Sequence, residues 1–211
     1  MAKSVDRHSR EVAVVAARLM QEQGLDYLAA KKKAALKLGL GVRAALPTNR
    51  QIEDALLEHH RLFHHEATQE ALVTLREIAL EMMDHLAAFE PRLVGAVLSG
   101  ALTSGAAIEL HAFADSAEAI AVMLIDHRID YRLVERRVRM RAEHTVLIPV
   151  YLFEHRNVDI EVYAFALDGQ RQPPLCPVDG KPMERARASA VRTLLEPTSG
   201  PSVVDDFFSR V

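Results

Sequence analysis

Four side chains on two short apolar segments have the types and spacing that can hold a divalent cation or move a proton. In Ala107-Ile108-Glu109-Leu110-His111 polar and apolar residues alternate. On an extended strand Glu109 and His111 therefore share one face while Ile108 and Leu110 point into a core. The same rule applied to residues 158–163 puts Asp159, Glu161 and Tyr163 together and the β-branched residues behind them. If the two strands are neighbours, three carboxylates and an imidazole converge. Oxygen ligands of that kind suit Mg²⁺, which takes one or two carboxylates together with phosphate oxygens and water. Upstream, the apolar run 93–98 breaks at Ser99-Gly100, where a small-residue turn lets a phosphate approach the backbone. Arg137, Arg139 and Arg141 alternate further along, and arginines beside such a turn clamp phosphates bidentately. The same arginines would equally protect an exposed sheet edge. The alternation around Glu109 is also what a plain half-exposed hairpin would show.

Elements that could position these groups follow from periodicity. Residues 9–90 recur at three and four and are rich in helix formers. A first helix is expected from Ser9 to Gln23, and Asp26 caps a second that Gly39 and Gly41 close. Thr48 with Gln51 forms a capping-box pattern before a third helix on Ile52, Leu56 and Phe63, and Thr68 opens the longest helix. After Pro91 the period becomes that of strands, expected near 93–98, 107–114, 129–140, 144–153 and 158–167, with a helix at 116–126. Residues 154–157 form a hairpin turn, 169–182 a proline-rich loop, 183–195 a last helix, and 197–211 a tail. The expected fold class is α+β: a helical region over residues 1–90, then a mixed β-β-α-β-β-β sheet domain over 91–196.

That order of elements resembles the nucleotidyltransferase superfamily typified by DNA polymerase beta, in its minimal bacterial forms. The family has a strand ending in a Gly-Ser turn, a second strand with an Asp-x-Asp pair, a helix, and a later strand with a third carboxylate. Over residues 92–166, Gly100 stands at the family's glycine and Ala101 at its serine. Ala107 takes the first aspartate position, Glu109 the second, and Asp159 or Glu161 the third. The resemblance implies nucleotide binding with Mg²⁺, Glu109, Asp159 and Glu161 holding the ion and His111 assisting as ligand or acid/base group. Ser99, Gly100, Arg137 and Arg139 would contact the nucleotide. Alanine at the first aspartate position implies weak or lost nucleotidyl transfer, because two-metal chemistry relies on bridging carboxylates.

Composition narrows the remaining classes. The chain has 211 residues, 49% hydrophobic and 26% charged, with a net charge of −3, so no global field draws in nucleic acid. One cysteine, Cys176, excludes an intrachain disulfide framework, and no apolar run is long enough to span a membrane. A soluble cytoplasmic protein is the expectation, with a homo-oligomer formed through its helical half among the partners considered. Lys31, Lys32, Lys33 and Lys37, followed by Arg43 and Arg50, give the second helix a basic face that would suit RNA, or simply solvent. His59, His60, His64 and His65 offer helical spacing for zinc, with ordinary surface histidines as the alternative. A non-catalytic interaction protein acting through its helical half is the second functional expectation.

Overall fold

The computed structural model describes residues 2–41 and 46–196. The expected tail 197–211 and Arg43 lie outside the described residues. Helix α1 (Ala2–Gln23) begins nearer the N-terminus than Ser9 and ends where Gly24 takes a left-handed φ of 61°. In α2 (Tyr27–Lys37) the Asp26 carboxylate accepts from Ala29 N at 2.8 Å. Helix α3 (Asn49–Phe63) opens with the capping box, Gln51 N donating to Thr48 Oγ1 and Thr48 N donating to Gln51 Oε1. Only His64 separates it from α4 (His65–His85), which therefore starts before the expected Thr68.

The strands are β1 (Arg92–Val94), β2 (Ile108–Ala114), β3 (Arg132–Arg141), β4 (His144–His155) and β5 (Val158–Ala166). They form one sheet in the order β1-β2-β5-β4-β3, with β2 and β5 parallel and the other pairs antiparallel. Two segments remote in sequence thus lie side by side, in a register that pairs Glu109 with Glu161 and His111 with Tyr163. The β4–β5 hairpin turns at Arg156-Asn157, both with left-handed φ, matching the twist of the flanking strands. Short helices α5 (Gly95–Ser99), α6 (Ala117–Asp126) and α7 (Ala188–Thr193) complete the fold.

Two cores divide the molecule. Val12, Ala16 and Leu19 of α1 pack with Ala30, Ile52 and Leu56 of α2 and α3. Leu72, Ile78, Ala79 and Met82 of α4 instead pack with Leu93, Ile108, Leu110, Ile160 and Val162 of the sheet, joined by Ile120 and Leu124 of α6. The long fourth helix is therefore a cover of the sheet. Burying one such leucine removes enough apolar surface from water that Leu→Ala costs about 2–5 kcal/mol.

Two segments depart from expectation. Residues 93–98 do not form one strand: Gly95, at φ 69°, ends β1 after Val94, and the chain turns into α5. Arg76 of α4 donates to the carbonyls of Val97 and Leu98, which a strand would have spent on a neighbour. Residues 183–187 are extended, not helical. Ala186 exchanges two 2.9 Å backbone hydrogen bonds with Leu93, so helix formation waits until Ala188.

Candidate functional site

The face of the sheet turned away from α4 and α6 carries Glu109 and His111 of β2 and Glu161 and Tyr163 of β5, because alternate residues of paired strands share a face. Four groups in a two-by-two array meet two different environments.

At the Glu109 end the wall is Gly95. A Cβ built there would lie 2.5 Å from Glu109 Oε1, so only glycine lets the carboxyl rest against the backbone where β1 becomes α5. The carboxyl borders a cavity of about 390 Å³ between the sheet, the helical half and the loop 176–184. Ser99 lines the same cavity, as do Tyr27, Arg50 and Glu53 from the helices. Asn49 Nδ2, donating to the Pro177 carbonyl at 2.7 Å, ties the loop to the first turn of α3. Four carboxyl groups, Glu53, Glu109, Asp179 and Glu184, face two cations, Arg50 and Lys181, around this space.

Glu109 is half-buried, and among the described residues no donor hydrogen-bonds its carboxyl. Burial first, and then the Glu161 charge beside it, push its pKa up to about 7, against a smaller opposing pull from Arg136. Glu161 is satisfied: Arg136 Nη2 donates to it at 3.0 Å and the Tyr163 hydroxyl at 3.0 Å. Glu53 is likewise held above the ordinary carboxylate value, by burial first, with Arg50 opposing. The cavity thus holds acidic groups whose ionised forms lack enough positive charge within the protein.

At the other end His111 is sealed. It is 2% exposed, and Arg185 Nε donates to its Nδ1 at 2.9 Å, so that nitrogen carries no proton. Burial, then the Arg185 charge, lower its pKa to about 3. The guanidinium carbon of Arg185 sits 5.1 Å from both the Phe113 and Phe165 ring centres, and Arg185 Nη1 donates to the Gly169 carbonyl. His111 does not line the Glu109 cavity, and burial, then the Arg185 charge, hold its ring toward the neutral form.

The structure brings together Glu109 and Glu161 and leaves the other expected residues elsewhere. Asp159 is exposed and lines a second cavity, of about 410 Å³, with His60, His64 and Thr68. Among the described residues no three His, Cys, Asp or Glu side chains are grouped to hold a metal ion, so the expected triple-carboxylate ligand set does not form. Gly100 ends α5 at φ 85° beside Leu57 and Leu72, away from Glu109; Gly95 is the glycine at the carboxyl. Arg137 and Arg139 stand on β3, at the far edge of the sheet from the turn, and the strand's Arg136 is the one that reaches Glu161. His60 is buried with Nε2 2.9 Å from Gln21 Oε1, and His64 has left the helix, so the histidines do not present one helical face to zinc. Cys176 closes a turn, its carbonyl accepting from Gly180 N and its amide donating to Lys181 O.

Sequence reasoning missed Gly95, Arg136, Arg185 and the helical contributors Arg50 and Glu53. Gly95 was legible in principle, as a glycine inside an apolar run. The others depend on long-range packing with no local signature.

The chain matches no protein-family model, no curated protein and no solved structure. Geometry and chemistry alone therefore carry the functional reading. Among the described residues no helix is long and apolar enough to cross a membrane.

Proposed function

We propose that the Gly95–Glu109 cavity binds a nucleotide as its complex with a divalent cation, in a nucleotidyltransferase-like domain whose transfer chemistry is weak or lost. The observation that carries this reading is the half-buried Glu109 carboxyl, without a hydrogen-bond donor among the described residues, set against a side-chain-free backbone in a cavity of small-molecule size. The order of turn, carboxylate strand, helix and adjacent later strand resembles that superfamily, though the glycine beside the carboxyl is Gly95 and not the Gly100 of the matched turn. The excess of acidic groups disfavours a bare triphosphate, since like charges in a low-dielectric cleft repel strongly. A cation between phosphate and carboxylate reverses that sign.

Mg²⁺ fits the donor set because it needs only one or two carboxylates beside phosphate and water. Glu109 would hold it, with Glu161 alongside if Arg136 yields; the ion would supply Lewis-acid charge to the phosphates. This chain's own residues then do the rest: Gly95 gives access to the backbone, Ser99 offers a hydroxyl, Arg50 and Lys181 offer donors to phosphate oxygens. Ala107 at the first aspartate position leaves no third carboxylate beside Glu109, hence weak or absent transfer. Thermal shift with ATP, GTP, CTP and UTP tests the binding. Stabilisation that needs both nucleotide and Mg²⁺ or Mn²⁺, and disappears in Glu109→Ala, supports it; no shift with any pair overturns it.

A non-catalytic role through the helical half is favoured by one observation, the exposure of Leu28, Leu36, Leu62 and Phe63 there. Self-association is its simplest form. Light scattering on wild type and Phe63→Asp decides it: a dimer that the substitution dissolves supports the reading, and a monomer in both contradicts self-association.

A further inference from the structure

Helices α3 and α4 meet at His64 and open into a cleft of about 280 Å³ whose third wall is the end of α5. Helical spacing puts its residues on one surface. Leu57, His60 and Arg61 recur at three and four on α3, and a single stripe of α4 runs from His65 through Thr68 and Leu72 to Arg76. Gly100, at φ 85°, rests against Leu57 and Leu72, so the floor is apolar while the rim is polar.

Among the described residues no carboxylate lines this cleft, whereas two arginines and two histidines do. Arg76 is the cation without a counter-charge. Its guanidinium is partly buried, Nε and Nη2 donate to the Val97 and Leu98 carbonyls, and burial lowers its pKa with no acidic neighbour among the described residues to offset it. The carbonyl dipoles fix the fork in place, but they leave its unit charge uncancelled and engage neither hydrogen of Nη1. Arg61 is held at the rim by two hydrogen bonds to Glu58, at 2.9 and 2.7 Å, so its position is set and its charge is balanced. Thr68, 8% exposed, and Ser99 bring hydroxyls from two elements. His60 is kept toward its neutral form, by burial first and then by His59, and adds shape to the wall without adding charge.

We propose that this cleft binds a phosphate group, free or at the end of a small phosphorylated molecule, with Arg76 as its counter-charge, Thr68 and Ser99 as hydroxyl donors and Arg61 at the rim. Donors that converge from three elements suit a tetrahedral oxyanion, and a guanidinium is the side chain whose geometry matches it. The cleft and the Gly95–Glu109 cavity are opposite in charge, four carboxyl groups around one and none around the other, so an anion enters here without a metal ion. Ser99 borders both spaces, yet the cleft does not depend on what the cavity binds.

The test is isothermal titration calorimetry of the full chain with sodium phosphate, at constant ionic strength and with EDTA present. Saturable binding is expected. Arg76→Gln is expected to weaken it roughly tenfold or more, the measure of a charge-assisted hydrogen bond, and Thr68→Val and Arg61→Ala by smaller factors. Arg132→Ala, on the exposed edge strand, removes the same charge elsewhere and should bind like wild type. Glycerol phosphate separates the two sources: binding tighter than that of phosphate supports an esterified ligand, and weaker binding supports the free ion. Circular dichroism melting shows which variants fold; should Arg76→Gln unfold, Thr68→Val and Arg61→Ala decide. No saturation, unchanged affinity in the folded cleft variants, equal displacement by acetate, or an equal loss in Arg132→Ala overturns the proposal. So does a loss in Arg50→Ala in place of Arg61→Ala, which would put the phosphate in the Glu109 cavity.

Discussion

Glu109 and His111 are two residues apart on one strand, face the same way, and live in opposite circumstances. His111 is closed off from solvent: Arg185 donates to it, the Phe113 and Phe165 rings both lie against that guanidinium, whose Nη2 is buried without a partner, and burial, then the Arg185 charge, hold the imidazole toward its neutral form. Around Glu109 glycine leaves a gap, an acidic neighbour raises the cost of ionisation, and a cavity begins. A polar group whose needs are met inside the protein is part of its architecture. His111 has its hydrogen bond within the protein, whereas the Glu109 carboxyl accepts none among the described residues and borders a cavity, and this contrast, more than residue type, separates the candidate site from its surroundings.

The contrast can be broken most forcefully at Arg185. Arg185→Ala removes two hydrogen bonds and two ring contacts from the sealed end, and urea denaturation should show a loss of about 3 kcal/mol with little effect on nucleotide binding. At the open end Glu109→Gln should do the reverse, stabilising the protein at pH 8 while abolishing cation-dependent nucleotide binding. The sign follows from linkage. The folded-state pKa of Glu109 is raised, so its ionisation penalises the fold as pH climbs from the ordinary carboxylate range through about 7, and the relief is on the order of 3 kcal/mol above that. His111 works oppositely: its lowered pKa means that the unfolded chain gains the proton first, so stability falls as pH drops below about 6.5 toward 3. In the overlap the two slopes oppose each other, and the Glu109→Gln variant should expose the histidine slope alone in a pH series of melts.

Gly95→Ala sharpens the comparison from the backbone side. Its positive φ and the 2.5 Å approach of Glu109 Oε1 predict about 1–3 kcal/mol of destabilisation and weakened nucleotide binding, measured on one sample by melting and titration. The smallest effect is expected from Arg136→Ala. That arginine is half exposed, so its ion pair with Glu161 contributes less than about 1 kcal/mol. Its loss should nevertheless raise the Glu109 pKa further, since Arg136 is the charge opposing that shift.

The sequence was most readable where the signal is local. The Asp26 cap, the Thr48–Gln51 box and the strand alternation that puts Glu109 and His111 on one face all involve neighbours a few residues apart, and each stands in the structure. The adjacency of β2 and β5 was conditional on topology, and the parallel pairing of Glu109 with Glu161 meets that condition. What alternation could not say is what covers the face. Arg185 lies 74 residues from His111, and nothing in the local pattern of either announces the other. Asp159 obeys the same alternation as Glu161 yet falls at the strand's start, where the face opens to a different cavity. The strand expected over 93–98 failed because one glycine with positive φ outweighs an apolar run that strand and buried helix share.

The central claim is that Glu109 is a carboxyl awaiting a cation-bearing ligand, and carboxyl-detected NMR titration of the full chain measures it directly. The account predicts a Glu109 pKa near 7 in the free protein that drops by more than a unit with Mg²⁺ and nucleotide together and not with nucleotide alone. A Glu109 that titrates with the surface glutamates, or whose pKa does not move when both are added, would contradict it.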